Sequence, residues 1–528
     1  MNDFIKKMSF TQKIKAAVQV FFAVSLVLFF VKLAYYHYQV VVCPYQLEYR
    51  EGGILLTTDF MLKGGNPYDL AHQPQYANVY GIFYHWIVYP FVRVFGPTLL
   101  VHRAVTAFFI FASCLMIFGV MRREKISRMF VFSAVLLFYF SMIAPNTSTP
   151  LAGPHSLGVF LFLGSIFWPF LAQYSLKSLM GSIVLADMAF FTKSYFVLGV
   201  PYLASYIFLF VSKRKGVAYA GLFFILLLVS IVTVNFFYPT HFNSTILSHI
   251  ERAGYVLNHV HRQFSSFIEF YSGILLGFLT VAFLHGVKDW ERIKKGLNPS
   301  HWKLPKVHVL EFPKPLVDLN LHLMVFCFLC SMLLIYFKLG GHGGSWLAYL
   351  YQLITPFLVV VIFLGAKKGK VLNLIWIPFI VMNLYTLTFN AFPVIEMRSK
   401  EWEDVRRILA SHQNIFNTPA IVSLLLEQKK EVFDSGHTED FLSGTTRNPL
   451  LKKIAIPNRQ IVTTYFQYLK NISDAIKVRK YDLIVLTKDW SPMVFKELVE
   501  NYALIGVIPV KMSHSRQSWD ITFWKSKQ

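Results

Sequence analysis

The sequence predicts a polytopic helical membrane protein of about eleven spans with a small external α/β domain at its C-terminal end. Three observations predict it. Hydrophobic residues make up 55% of the 528 positions, aromatics 17% and charged residues only 15%, with mean hydropathy +0.48, a composition that a water-soluble surface cannot carry. Apolar runs of roughly 20 residues, enough to cross a hydrocarbon core, recur from Lys15 to about Phe392. From about residue 394 the texture changes to interspersed acids and bases with short periodic segments.

In order, the spans fall near 16–36, 99–121, 128–143, 155–173, 179–193, 195–211, 217–237, 270–287, 319–338, 346–365 and 371–391. Lys6, Lys7, Lys13 and Lys15 place the N-terminus in the cytoplasm, because cytoplasmic segments retain Lys and Arg. Alternation then puts Arg122-Arg123-Glu124-Lys125, the Lys177 turn, Lys213-Arg214-Lys215, the Lys288 to Lys314 loop and Lys367-Lys368-Gly369-Lys370 on that same side, each of them basic. Pro145 to Pro154 and Gly340 to Ser345 lie opposite and hold no Lys or Arg. An odd number of spans leaves the tail outside. The first apolar segment lacks a small-residue cleavage site and ends in Tyr35, Tyr36 and Tyr38, so it reads as a retained anchor. Basic turns facing anionic membrane lipids account for the net charge of +23 without a nucleic-acid partner.

Residues 1–393 therefore read as the membrane domain and 394–528 as the external soluble domain. A first external loop covers 38–98, with Gly64-Gly65-Asn66-Pro67-Tyr68 as a turn between two short helices. Its aromatic, apolar stretch Tyr80 to Phe95 is expected along the membrane interface. A second external loop, 238–269, is expected to form an amphipathic helix over Thr245 to Phe267, with His249, Arg252, His259, His261 and Arg262 on its polar face. In the tail, helical patterning at Glu401 to Leu409 and Thr418 to Gln428 mixes with strand-like runs at Glu431 to Phe433, Leu483 to Leu486, Ile505 to Val510 and Ile521 to Trp524. Cys327 and Cys330 form a C-x-x-C inside a span with no second ligand pair and read as small residues on a helix face, Cys43 and Cys114 are not expected to pair, and no structural metal site is expected. Sequons at Asn146, Asn243 and Asn471 fall on the outer side, a match too common to fix an origin.

Glu48-Tyr49-Arg50-Glu51-Gly52, followed by Gly65-Asn66-Pro67-Tyr68 and Tyr80-Gly81-Ile82-Phe83-Tyr84, resembles the first loop of polytopic GT-C glycosyltransferases. The resemblance is to the protein mannosyltransferase and aminoarabinose transferase group. Glu48 and Glu51 match the family pattern of an acid, two residues and a second acid before Gly, while Thr192-Lys193-Ser194 and Gly340 to Pro356 resemble later landmarks. The chain departs from it at Gly81 and Ile82, where many relatives carry proline. The resemblance implies a GT-C-like fold and an inverting transfer from a polyprenyl-phosphate-linked sugar to a lipid, glycan or protein acceptor. It also implies a non-cytoplasmic reaction face, either the periplasmic side of a bacterial inner membrane or the ER lumen. Some relatives use a divalent cation and others none; Asp59, with the two glutamates, is the candidate for a metal or an acceptor contact.

The chemistry asks for the same residue types independently. An acceptor hydroxyl attacking an anomeric carbon must lose its proton, and an ionised carboxylate can take it. Glu51 is the first candidate for general base and Glu48 the second, or an acceptor-positioning group; their i, i+3 spacing puts both on one face if the segment is helical. The competing reading has them cap the outer end of the first span. A departing lipid phosphate needs fixed cations, and Lys193, Arg103, Lys338 and His342 map near outer span ends. Lys193 stands between two apolar runs where charge is costly; snorkelling is its alternative, as it is for Arg103 and Lys338. His342 is otherwise a solvated histidine in a glycine-rich turn. Asp187, inside the fifth span, is either hydrogen-bonded structurally or the mark of a secondary transporter or lipid flippase, the competing function. Against transport stands the lack of a clear internal repeat.

Overall fold

A computed structural model describes residues 9–48, 50–123, 125–143, 151–248, 255–296, 327, 330–341, 370–390, 395–433, 441–446, 448–449, 451–487, 495–512 and 517–527. Helix α1 (Phe10–Val42) opens with a capping box in which the Ser9 hydroxyl accepts from the Gln12 N–H and the Gln12 side chain accepts from the Ser9 N–H. It buries Phe22, Leu26, Leu33, Tyr36 and Val40 along one stripe and leaves Phe21, Val24, Leu28 and Val31 more than half exposed. A helix apolar all round but packed on one side needs lipid on the other.

The first loop contributes α2 (Arg50–Leu62) and α3 (Ile82–Phe95), and the bundle continues with α4 (Leu99–Arg123), α5 (Arg128–Ile143), α6 (His155–Leu171), α7 (Leu176–Thr192), α8 (Gly199–Phe210) and α9 (Lys213–Phe237). Among the described residues α1, α4 and α9 are long and apolar enough to cross a membrane, and α3, α5, α6 and α8 are shorter apolar helices. On α9, Phe224, Ile225, Val232 and Phe236 are more than half exposed, a second lipid-ready face. Two further helices, α10 (Leu257–Gly296) and α11 (Lys370–Asn390), pack against each other.

The predicted span 195–211 starts as a short 3-10 turn, Ser194–Leu198, before α8. The break comes at Lys193, whose extended backbone (φ −160°, ψ 124°) ends α7 and turns its side chain inward. The amphipathic helix expected over Thr245 to Phe267 is not continuous. Asn243–Leu247 form a π-helical turn, and α10 begins only at Leu257 and bends at Tyr271 before running on through the span predicted at 270–287. The turn is held by Asn243, whose buried amide donates to the Gly444 carbonyl and accepts from the Ile456 N–H. The predicted span 346–365, most of 319–338 and the sequon at Asn146 lie outside the described residues.

The C-terminal unit contains α12 (Lys400–Ala410), β1 (Ile415–Phe416), α13 (Val422–Glu427), α14 (Asn458–Lys477), β2 (Leu483–Thr487), α15 (Phe495–Asn501), β3 (Tyr502–Met512) and β4 (Gln517–Ser526). The sheet order is β1-β2-β4-β3, with β1 and β2 parallel and β4 antiparallel to both β2 and β3. Helix α14 is the crossover that a parallel β1–β2 pair requires; it buries Ile461, Tyr465, Leu469, Ile472 and Ile476 at helical spacing. The expected strand at Glu431 to Phe433 does not join the sheet, because the Phe433 N–H is taken by the Asn417 side chain.

This unit sits directly on α2. A Cβ added to Gly52 would lie 2.1 Å from the Pro419 carbonyl oxygen, and backbone cannot move aside as a flexible side chain can. Gly52→Ala is therefore predicted to destabilise the protein by about 1–3 kcal/mol through overpacking. Thermal unfolding in detergent reads the effect, and an unchanged midpoint would mean that α2 is not seated against the 419–422 turn.

Candidate active site

Helix α2 is started by the two first-loop carboxylates. Glu48 precedes the helix, and its Oε2 accepts from the Arg50 N–H at 2.9 Å, satisfying one of the donors that a helix N-terminus leaves open. Glu51, in the first turn, reaches back so that its Oε2 accepts from the Leu47 N–H at 2.9 Å. The capping reading is thus part of the structure. Because the helix begins only at Arg50, the i, i+3 pair is not on one helical face, and the two acids have different partners.

Glu51 is 1% exposed and filled. Its Oε1 accepts from Arg103 Nε at 2.8 Å and the Ala152 N–H at 2.9 Å, and its Oε2 from Arg103 Nη2 at 2.7 Å besides Leu47. Arg103, near the start of α4, is 0% exposed. Its remaining capacity goes to the carbonyls of Val40 and Cys43 through Nη1 and of Tyr45 through Nη2. The forked geometry suits arginine. A residue read as snorkelling or phosphate-binding instead fastens the segment 40–47 to the bundle with all its nitrogens committed.

Glu48 is 5% exposed, and its Oε1 accepts from Arg50 Nε at 2.7 Å. Burial raises its carboxyl above the ordinary glutamate range, Arg50 pulling the other way. Arg50 and Glu48 also act electrostatically on Lys193, and Arg50 on His155. Lys193 Nζ lies 3.0 Å from His155 Nε2, and 5.4 and 5.1 Å from the ring centroids of Tyr80 and Tyr195. The half-buried Arg50 and the buried Glu48 thus lie within electrostatic reach of the buried His155–Lys193 pair, whose lysine two tyrosines wall.

The backbone places Tyr80 there. The Gly81 N–H donates to the Thr192 carbonyl at 3.2 Å, and a Cβ at Gly81 would fall 1.8 Å from the Phe191 carbonyl oxygen. Proline, common in the resembled family near this point, would lose that bond and collide at residue 81. Glycine lets the first loop close on the end of α7.

Asp59 stands eight residues beyond Glu51 on α2, about 12 Å along the axis, and pairs with Lys63 at 2.6 Å. Lys338 is exposed on the short π-helical turn Ile335–Leu339, and His342 lies outside the described residues. Among the described residues no three His, Cys, Asp or Glu side chains gather as metal ligands. Glu48 and Glu51 face N–H donors, a surrounding that does not fit a divalent cation. Asp187 accepts from the Ser230 hydroxyl at 2.9 Å, a bond between α7 and α9. The sequence reading missed Arg50 and His155. His155 follows a predicted outer loop and opens a span, a position as informative as that of Lys193.

No protein-family profile and no curated protein matches the sequence. Two crystal structures of ArnT from Cupriavidus metallidurans match in structure. The apo form gives a TM-score of 0.54 at 10% identity, and the form bound to undecaprenyl phosphate 0.51 at 11%; each comparison covers 96% of this chain and 98% of that chain. At such identity the likeness is one of fold. Nearly the whole chain, apolar helices and C-terminal α/β unit together, shares the polytopic helical fold of these ArnT structures.

Proposed function

We propose that this protein is a membrane glycosyltransferase moving a sugar from a polyprenyl-phosphate donor to a lipid, glycan or protein acceptor on the non-cytoplasmic face. The observation that carries the proposal is the grouping of Glu48 and Arg50 with the buried His155–Lys193 pair, which sets one proton acceptor near the Arg50 guanidinium and the Lys193 amine. The donor class is supported by the fold shared with a protein seen bound to undecaprenyl phosphate. The outer face is supported by the basic turns that the sequence assigns to the cytoplasm.

In this reading an acceptor oxygen attacks the anomeric carbon as its proton passes to Glu48. The new C–O bond forms while the bond from the anomeric carbon to the phosphate oxygen breaks, and that electron pair leaves on the phosphate. Lys193 and Arg50 stabilise the charge gathered there. A single displacement inverts the anomeric carbon. Glu48 takes the base role in preference to Glu51, whose oxygens already accept four N–H bonds. The pair Glu51–Arg103 positions the loop that carries Glu48.

The deciding experiment is transfer by the purified protein in nanodiscs, given labelled polyprenyl-phosphate sugars and no ion gradient. Product formation is expected. Gradient-driven solute uptake by the same protein in sealed proteoliposomes, without transfer on any donor, would reject this reading in favour of transport. Lys193→Met is predicted to weaken labelled-donor binding about tenfold and slow transfer about 10²-fold, with Lys193→Arg retaining part of both. Unaltered donor binding in Lys193→Met would remove the lysine from the phosphate site.

A further inference from the structure

The segment between α1 and α2 is held from two sides. From the bundle, Arg103 grips the carbonyls of Val40, Cys43 and Tyr45. From the C-terminal unit, the Tyr45 ring stacks on Trp402 with centroids 5.6 Å apart and planes at 7°, and its hydroxyl donates to Glu403 Oε1 at 2.6 Å. Gln46, 1% exposed, goes further. Its Nε2 donates to the Pro419 carbonyl and its Oε1 accepts from the Ser423 N–H, both at 2.9 Å, so that one side chain clasps the turn leading into α13 from both ends. The two residues after Gln46 are Leu47, whose N–H holds Glu51, and Glu48.

We propose that Gln46 is a positioning residue, and that the C-terminal α/β unit acts through it to hold Glu48 in its reactive place. The inference rests on the glycosyl-transfer reading for its catalytic half, while the clasp itself rests on geometry alone. An exposed soluble unit could be tethered by any surface contact. Here the contact is instead made by the residues two and three positions before the proposed base, and a buried amide with a donor and an acceptor both matched specifies one register of the loop. Misplacement of a reacting group by about 1 Å can cost about 10²-fold in rate, so the unit can set turnover without touching substrate.

The test compares Gln46→Ala and Gln46→Glu with the wild-type full-length protein in nanodiscs. Glu keeps the acceptor for the Ser423 N–H but turns an oxygen toward the Pro419 carbonyl, so it should behave like Ala although its size is that of Gln. Both variants are expected to lower kcat about tenfold to 10²-fold with donor KM unchanged. The acid limb of their pH profile should move down, because a loosened loop exposes Glu48 and relieves the burial that raises its carboxyl. Hydrogen exchange of residues 45–52, measured without substrate, should become faster while α4 and α6 keep their protection.

A merely structural role predicts a smaller folded fraction with an unchanged pH profile per folded molecule, and that result overturns the proposal. Wild-type exchange in both variants overturns the clasp. Faster exchange with wild-type kcat overturns the positioning role. Wild-type protein inactive on every donor sinks the glycosyl-transfer reading and the catalytic half with it, and the exchange rates, which need no substrate, still decide the clasp separately.

Discussion

Glu48→Gln is expected to cut transfer by about 10²–10⁴-fold, the range that general-base catalysis contributes. The amide is near-isosteric and its oxygen can still accept from Arg50, whose Nε and N–H hold the wild-type carboxylate, so donor binding should persist. What it cannot do is take a proton. The pH dependence follows from the same residue. As the proposed base, Glu48 would work only when ionised, and burial lifts its carboxyl above the usual glutamate range. Wild-type turnover should therefore be full above that raised value and fall as pH drops through it, at higher pH than an exposed glutamate would give. In Glu48→Gln this limb should vanish from the residual rate. Initial rates across a pH series on both proteins check it, and an identical acid limb in the variant would return the base role to another group.

Arg103→Leu is expected to be the most destabilising single substitution at the site, by about 3–5 kcal/mol. It strands a fully buried carboxylate and releases the carbonyls of Val40, Cys43 and Tyr45. The double variant Arg103→Leu with Glu51→Leu should recover part of the loss, because no unpaired charge stays buried. It should not recover all of it, since the three carbonyls still lack their donor. Glu51→Gln gives the contrasting measurement. As the clamp for α2 it should lower the unfolding midpoint while the folded fraction keeps transferring sugar. Were Glu51 the base, turnover per folded molecule would collapse as well. Thermal unfolding in detergent, with transfer normalised to folded protein, separates the two.

Much of this architecture was legible because hydrophobic length and loop charge are local quantities. The run from Leu99 to Arg123 is apolar and ends in two arginines, and it is a helix over those residues. The changed texture of the tail follows from a unit with its own sheet and helices. Segments decided by distant partners were less legible. Thr245 to Phe267 has the periodicity of a helix, yet Asn243 spends its amide on Gly444 and Ile456, roughly two hundred residues away, and the helix starts later. Glu431 to Phe433 has strand-forming residues, but an asparagine side chain takes the N–H that a ladder would need.

The candidate site divides in the same way. The sequence by itself determined that acids stand just past the first span and that Lys193 interrupts two apolar runs, since an isolated charge in such a setting is visible from composition. Only the tertiary structure decided which partners each charge meets. Glu48 and Glu51 are alike in type and three residues apart, but burial against Arg103 fills one with four N–H donors while the other faces Arg50 toward Lys193 and His155. Arg103 reads in the sequence as a helix-end cation, and its partners arise from 58 to 63 residues earlier in the chain and from Glu51. The side-chain types and their order are written along the chain. The role of a carboxylate depends on which donors fold around it, and that is a property of three-dimensional packing.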